Sequence, residues 1–295
     1  MTGATAPGTI YRGYDRAGLD REYDNRTKVP GFDFAAFLAE CEARNAQALA
    51  AHAHVLDVPY GASPAERLDI YPAARRHAPV HVFFHGGYWR LLDKKDFSYV
   101  AAGIVPHGHT LVVVNYALMP QVRMDELLEQ CRRSIDWVFA HIHAHGGDPQ
   151  RVSVSGHSAG GHIAAMMMAT DWAARTPSAP VPAFRRVCAI SGIFELEPIR
   201  LCFLNDTLRM DAAEASRNSP RALRPAVDCP LAVVVGDREG DEYLRQSREF
   251  GAAWATATRQ PEVVVLERTD HFSIRADLGD PDSAMVALAL GLDRR

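Results

Sequence analysis

Hydrophobic positions along this chain fall into short continuous runs separated by longer amphipathic stretches. The runs at 80–84 (Val-His-Val-Phe-Phe), 111–116 (Leu-Val-Val-Val-Asn-Tyr), 151–155, 187–191, 231–235 (Leu-Ala-Val-Val-Val) and 262–266 (Glu-Val-Val-Val-Leu) predict strands, several covered on both faces as in a parallel sheet. Between them the pattern becomes helical. The clearest case is 122–144, where Leu127, Cys131, Ile135, Val138 and Ile142 recur at helical spacing before Gly146-Gly147-Asp148-Pro149 stops the helix. Further helices are predicted near 160–174, 241–257 and 282–291. Upstream, residues 1–30 are polar and irregular, and Phe34, Phe37, Leu38, Cys41 and Leu49 give a partial apolar stripe over a helix at 32–53. Residues 55–60 and 67–71 flank Gly61-Ala62-Ser63-Pro64 as a hairpin.

An antiparallel start followed by strand–helix alternation predicts an α/β fold, a mostly parallel central sheet with helices on both faces. A single domain over 1–295 is expected, with 1–54 as an N-terminal extension and helix. Residues 195–226 break the rhythm, because Glu197-Pro198, Asn205-Asp206 and Ser219-Pro220 interrupt short helical pieces. We read this segment as a small cap insertion over the site, the alternative being an ordinary long connection.

Composition narrows the class. The 295 residues are 47% hydrophobic and 23% charged, enough for one large core. The net charge of −4, with acids and bases mixed, lacks the basic footprint of a nucleic-acid binder. Cys41, Cys131, Cys188, Cys202 and Cys229 are scattered, without a Cys-x-x-Cys pair, so neither a disulfide framework nor a zinc site is expected. No apolar run approaches the roughly 18 residues of a membrane span, and the first residues lack a signal-peptide pattern. A cytoplasmic location follows as the expectation. There is no phosphate loop or dinucleotide fingerprint, and His141, His143 and His145 do not share a helix face, so no cofactor or metal is expected.

Chemistry enters at Gly156-His157-Ser158-Ala159-Gly160-Gly161, a Gly-x-Ser-x-Gly pentapeptide between the run at 151–155 and the helical stretch that follows. In that position it reads as a nucleophile elbow, a turn too tight for side chains at 156 and 160 that lifts the Ser158 hydroxyl clear of the sheet. A serine nucleophile needs a base, and the base an orienting acid. His271, in Thr269-Asp270-His271-Phe272 just past the last strand, is the candidate base. The acid should follow the strand at 231–235, where Gly236-Asp237-Arg238-Glu239-Gly240-Asp241-Glu242 offers four carboxylates. Glu239, three positions past the closing glycine, ranks first, Asp237 second and Asp241 third. The strand at 80–84 runs into His85-Gly86-Gly87-Tyr88-Trp89, and the N–H groups of Gly86, Gly87 and Ala159 are candidate oxyanion donors. His85 is expected to brace that loop. Tyr88, Trp89, Phe97, Phe194 and Phe272 stand near these loops and are candidates either for an aromatic leaving-group pocket or for core packing.

Taken together, His85-Gly86-Gly87-Tyr88-Trp89, the elbow with His162 and Asp270-His271-Phe272 resemble the kynurenine formamidase (arylformamidase) branch of the α/β-hydrolases. The likeness extends to Ser191-Gly192-Ile193-Phe194-Glu195-Leu196-Glu197-Pro198, Leu204-Asn205 and Glu242-Tyr243-Leu244-Arg245-Gln246-Ser247, over roughly residues 55–275. Asp20-Arg21-Glu22-Tyr23-Asp24-Asn25-Arg26 is similar to bacterial members of the wider group. The resemblance implies an α/β-hydrolase fold and a metal-free serine hydrolase acting on N-formyl-kynurenine or related aryl formamides and esters. It also implies an acid at position 239, where this chain carries Glu in place of the family's Asp. A carboxylesterase or amidase on another small acyl substrate is the alternative, since the HGGxW motif occurs there too. A non-catalytic binding module is a third reading, disfavoured because both serine and histidine are present. The expected partner is a small molecule, with neither nucleic acid nor membrane. A homodimer is compatible with the group, though no residue pattern demands it.

Overall fold

The computed structural model describes residues 8–257 and 259–293. Eight strands form one sheet: β1 (Val55–Pro59), β2 (Arg67–Tyr71), β3 (Ala78–Phe84), β4 (Thr110–Val114), β5 (Gly147–His157), β6 (Arg186–Ile190), β7 (Leu231–Gly236) and β8 (Glu262–Leu266). Their order is β1-β2-β4-β3-β5-β6-β7-β8; β2 pairs antiparallel with both β1 and β4, and all later pairings are parallel. This is the mostly parallel sheet with an antiparallel start that the pattern predicted.

The continuous apolar runs separate into two faces because successive side chains point to opposite sides. Val80, Val82, Phe84, Val112, Val152, Val154 and Val233 pack against helices Met124–His141 and Ala159–Met168 on one face. Phe83, Leu111, Val113, Cys188, Ile190 and Val234 pack against helices Val100–Ile104 and Ala284–Leu290 on the other. β8 is the exception. It closes the edge of the sheet, and Val263 and Val265 are each 37% exposed, although their run reads like the buried ones.

Helix Phe34–Ala51 begins behind Asp33, whose carboxylate accepts the Ala35 and Ala36 amides. A second N-terminal helix, Arg16–Tyr23, departs from the irregular reading of residues 1–30. Only Leu19 and Tyr23 give it a buried apolar side, too little for a periodic signal; Asp15 caps it through the Gly18 amide. Residues 195–226 fold into the short helices Glu197–Leu201, Asn205–Leu208 and Ala212–Arg217. No described helix is long and apolar enough to cross a membrane.

Candidate active site

The turn between β5 and helix Ala159–Met168 places Ser158 at φ 59° and ψ −118°, left-handed backbone that a non-glycine residue adopts only under constraint. Its neighbours show why glycine flanks it. A Cβ on Gly156 would lie 2.2 Å from the Gly160 carbonyl oxygen, and one on Gly160 would lie 1.9 Å from that of Phe84. The Ser158 amide donates to the Ile190 carbonyl at 2.8 Å, tying the turn to the end of β6.

Among the competing carboxylates, geometry favours Glu239. Its Oε2 lies 2.5 Å from His271 Nδ1, while Oε1 accepts from the Gly236 amide at 2.6 Å and the Ser191 hydroxyl at 2.7 Å. Glu239 is fully buried. The two lower-ranked candidates stand elsewhere. Asp237 is exposed and accepts the Thr269 amide at 3.0 Å, which fastens the acid loop to the histidine loop. Asp241 opens helix Asp241–Trp254, where a carboxylate suits the helix dipole. Ser191, itself at φ 49°, was not singled out from the sequence as a support for the acid.

Gly86 meets the elbow closely: a Cβ there would be 2.9 Å from the His157 carbonyl and 3.2 Å from Ser158 Cβ. Gly87 has φ 113°, and a Cβ on it would run into the Leu91 carbonyl at 2.1 Å. Ala159 is buried as the first residue of the elbow helix. His85 does brace this loop. Its Nδ1–H donates to the Gly86 carbonyl at 2.8 Å, its ring stacks on Tyr116 at 4.3 Å, and Tyr116 donates to the His85 carbonyl at 2.7 Å. Burial lowers the His85 pKa, which keeps the ring neutral.

A cavity of about 320 Å³ is lined by Ser158, His271, Gly86, Gly87 and His157 together with Tyr88, Phe97 and Phe272. Trp89 and Phe194, expected among the pocket aromatics, are not there. Trp89 is fully buried and donates its indole N–H to His162 Nδ1 at 3.2 Å, while His162 Nε2–H donates to the Asn218 carbonyl at 2.8 Å. The tryptophan therefore clamps the glycine loop to the elbow helix and to the 195–226 segment. Phe194 stacks on Phe250 at 4.0 Å in the core, close beneath Gly192. Of the two alternatives the sequence left open for these aromatics, both side chains take the packing role, and neither belongs to the cavity wall.

The larger departure concerns the roof. Phe203 and Leu204 are the lining residues from 195–226, whereas Tyr23, Asp24, Asn25, Arg26, Phe34, Phe37 and Leu38 all come from the N-terminal extension. Phe34 and Leu38, 37% and 43% exposed, belong to the stripe that the sequence presented as an ordinary helix face. Phe32 stacks on Phe272 at 4.2 Å and Phe37 meets it edge-on at 5.1 Å, so the arm closes against the histidine loop. Lys28 Nζ donates to the Glu239 carbonyl at 2.7 Å.

Beside Ser158, the phenols form an ordered hydrogen-bond set. Tyr88 donates to the Tyr23 carbonyl at 2.8 Å, so the 2.7 Å contact between Tyr88 and Tyr243 is donated by Tyr243. Asn25 Nδ2 donates to both oxygens, at 3.1 and 3.2 Å. Burial raises the pKa of both phenols. Burial also holds His157, whose ring is centred 4.6 Å from that of His271, well below its ordinary pKa, with the His271 charge adding to the effect.

Comparison with known proteins agrees with this geometry. The BD-FAE family pattern matches residues 68–214. The chain is 33% identical to the kynurenine formamidase of Danio rerio over 246 residues, 80% of each protein, and 32% identical to that of Salmo salar, covering 80% of this chain and 81% of that one. Esterase LipQ of Mycobacterium tuberculosis is 34% identical over a shorter stretch, 39% of this chain and 28% of that one. Among solved structures, a thioesterase candidate from a Silicibacter species superposes with a TM-score of 0.81 at 28% identity, covering 92% of this chain and 98% of that one. The Pyrobaculum calidifontis esterase, 17% identical with a TM-score of 0.66 over 89% and 94% of the two chains, shares the fold. With this fold, and at this identity over four-fifths of its length, the chain belongs to the kynurenine formamidase family of α/β-hydrolases.

Proposed function

We propose that the protein is a serine hydrolase of the arylformamidase type, cleaving a small acyl group from an aryl amide or ester with Ser158, His271 and Glu239 as its catalytic residues. The observation that carries this reading is the fully buried Glu239 bonded to Nδ1 of His271, which shares one cavity wall with a left-handed Ser158. Glu239 holds the Nδ1–H tautomer, which leaves Nε2 as the base. Ser158 Oγ gives its proton to Nε2 and attacks the acyl carbon. The Gly86, Gly87 and Ala159 amides receive the oxyanion. The imidazolium, stabilised by Glu239, then protonates the departing amine or alcohol, and a water activated by the same nitrogen releases the acid and regenerates Ser158.

N-formyl-kynurenine is the proposed substrate, which would place the enzyme in tryptophan catabolism, in the cytoplasm, without cofactor or metal and without a nucleic-acid or membrane partner. The test compares kcat/KM for N-formyl-L-kynurenine with that for short p-nitrophenyl esters, using Ser158→Ala as the blank. A formamide value of about 10⁴ M⁻¹s⁻¹ or more, above the esters, supports the arylformamidase reading. Ester turnover alone would favour the carboxylesterase reading, to which the LipQ likeness also points. Failure of Ser158 to react with a fluorophosphonate probe would remove the serine mechanism altogether.

A further inference from the structure

Several partly buried arginines in this protein are matched to carboxylates. Arg133 meets Glu66 and Glu126, Arg175 meets Glu129 and Asp136, and Arg245 meets Glu195, Glu242 and Glu249. Arg90 has no such partner. It follows the glycine loop directly and lines the same cavity as Ser158. Its Nε is buried and has no hydrogen-bond partner, and the guanidinium makes no ion pair among the described residues. A desolvated, unpaired guanidinium N–H is unfavourable, and one carried on a cavity wall is open to completion by a ligand.

The surroundings point to the sign and shape of that ligand. The other charged side chains on the wall, besides the imidazoles, are Asp24, Arg26 and Arg275. Arg275 is occupied internally by the Tyr99 hydroxyl, the Cys41 thiol and the Asp96 carbonyl. Arg26 lies flat over the Phe34 ring at 3.8 Å, at the exposed rim. Asp24 accepts the Arg26 amide at 3.3 Å and pairs with no cation within 4 Å among the described residues. Cationic groups thus outnumber anionic ones in the cavity, and Arg90 is the one with a buried guanidinium N–H that no group in the protein uses.

Arg90 is also held in place by its backbone. The Arg90 and Leu91 amides both donate to the Gly87 carbonyl, at 3.1 and 3.0 Å, so the arginine is carried on the same rigid turn as the proposed oxyanion donors. Tyr88, Trp89 and Leu92 around it all have positive φ. A group gripped by Arg90 would therefore be fixed relative to the reacting carbonyl.

We propose that Arg90 is a specificity-determining residue that binds a carboxylate carried by the substrate, so that the enzyme prefers acyl compounds bearing an anionic group over their neutral isosteres. The proposal rests on the serine-hydrolase reading of the same cavity and goes beyond it in assigning the residue that selects a carboxylate-bearing substrate. A planar guanidinium suits a carboxylate because two parallel N–H donors face two oxygens.

The experiment uses matched pairs in which only the carboxylate changes, N-formyl-L-kynurenine against its carboxamide and 4-acetoxybenzoate against 4-acetoxybenzamide. In the wild type, kcat/KM should favour the acid by about 10²-fold in the pair that fits, mostly through KM, and the ratio should shrink as ionic strength rises. Arg90→Gln should collapse the ratio towards one, and Arg90→Lys should restore part of it, because lysine keeps the charge but loses the fork. A wild type that does not distinguish acid from amide in either pair, or an Arg90→Gln enzyme that keeps the preference, overturns the proposal. Equal losses on both members of a pair would make Arg90 structural and overturn it as well. If Arg90→Gln does not fold, wild-type inhibition by 4-hydroxybenzoate and L-kynurenine against their amides decides the matter alone; equal inhibition would overturn the proposal. The same inhibitors followed by thermal shift read the charge preference even if Ser158 proves inert, so failure of the hydrolase reading and failure of the charge reading remain separate results.

Discussion

Replacing Glu239 by Gln isolates what the buried acid does. The side chains are nearly the same size, so the cavity behind His271 is neither emptied nor overfilled. What changes is the direction of one hydrogen bond. At Oε1 the acid accepts two protons, from the Gly236 amide and the Ser191 hydroxyl. A glutamine in the same rotamer keeps its oxygen there, because the Gly236 N–H cannot turn. Its amide nitrogen then faces His271 at the position now 2.5 Å from Nδ1. That nitrogen can only donate, so Nδ1 must accept, and the imidazole proton moves to Nε2. The base is then in the wrong tautomer towards Ser158, and no buried carboxylate balances the imidazolium that forms in the transition state. In serine-protease triads the equivalent change lowers kcat about 10⁴-fold, roughly 5.5 kcal/mol of barrier. We expect a loss of that size for Glu239→Gln, with an unfolding midpoint within a few degrees of the wild type. The assay is kcat on a p-nitrophenyl ester under saturating substrate, alongside thermal unfolding. Asp237→Asn serves as the contrast, since its carboxylate is exposed and is held by backbone amides of the histidine loop, Arg268 and Thr269; it should stay within about fivefold. Less than a tenfold loss in Glu239→Gln, or a larger loss in Asp237→Asn, would refute the assignment of the acid.

Gly160→Ala should fail to accumulate as folded protein, because its Cβ would sit 1.9 Å from the Phe84 carbonyl, and soluble yield with circular dichroism reads this directly. Trp89→Phe should keep the cavity but lose the indole bond to His162, lowering stability by about 1 kcal/mol in urea unfolding while kcat falls less than tenfold. Stability should also decline on acidification. Burial lowers His81 to about 3 and His109 and His162 to about 4 from an ordinary 6.5. The unfolded chain therefore takes up these protons first as pH falls below 6.5, and stability present above that pH is lost progressively towards pH 4. Urea midpoints measured from pH 7 to 4.5 check the sign, and a flat profile would contradict it. Phe37→Ala should raise KM more than it lowers kcat if the N-terminal arm roofs the cavity.

What was legible in the sequence was whatever depends on neighbours along the chain. The strands announce themselves because burial on both faces demands unbroken Val, Leu and Phe runs, and the elbow because its Gly-x-Ser-x-Gly spacing lies within five consecutive residues. Glu239 could be ranked above Asp237 and Asp241 by its offset from Gly236, and it is the carboxylate that lies against His271 Nδ1. The arm was illegible for the opposite reason. Arg16–Tyr23 offers only Leu19 and Tyr23 to the core, and its remaining contacts are polar and distant, such as Tyr23 to Glu242 and Asp20 to the Phe203 amide. Trp89 and Phe194 could not be assigned between pocket and packing, because a large aromatic next to a catalytic loop carries the same letter whether it lines the cavity or locks the loop from behind. The edge position of β8 likewise follows from sheet order, which its own residues do not encode.

The arm has a bearing on the timing of assembly. Tyr11 meets Glu195, Arg12 meets Glu249, Lys28 meets the Glu239 carbonyl and Asn25 meets Tyr243, partners separated from it by 184 to 237 residues. On a ribosome these residues emerge long before those partners. The sheet and the elbow can form while the arm is still loose, and the roof closes only after helix Asp241–Trp254 has been made. Maturation of the binding cavity is thus a late event, separable from collapse of the core, and refolding monitored by tryptophan fluorescence should run ahead of the return of esterase activity.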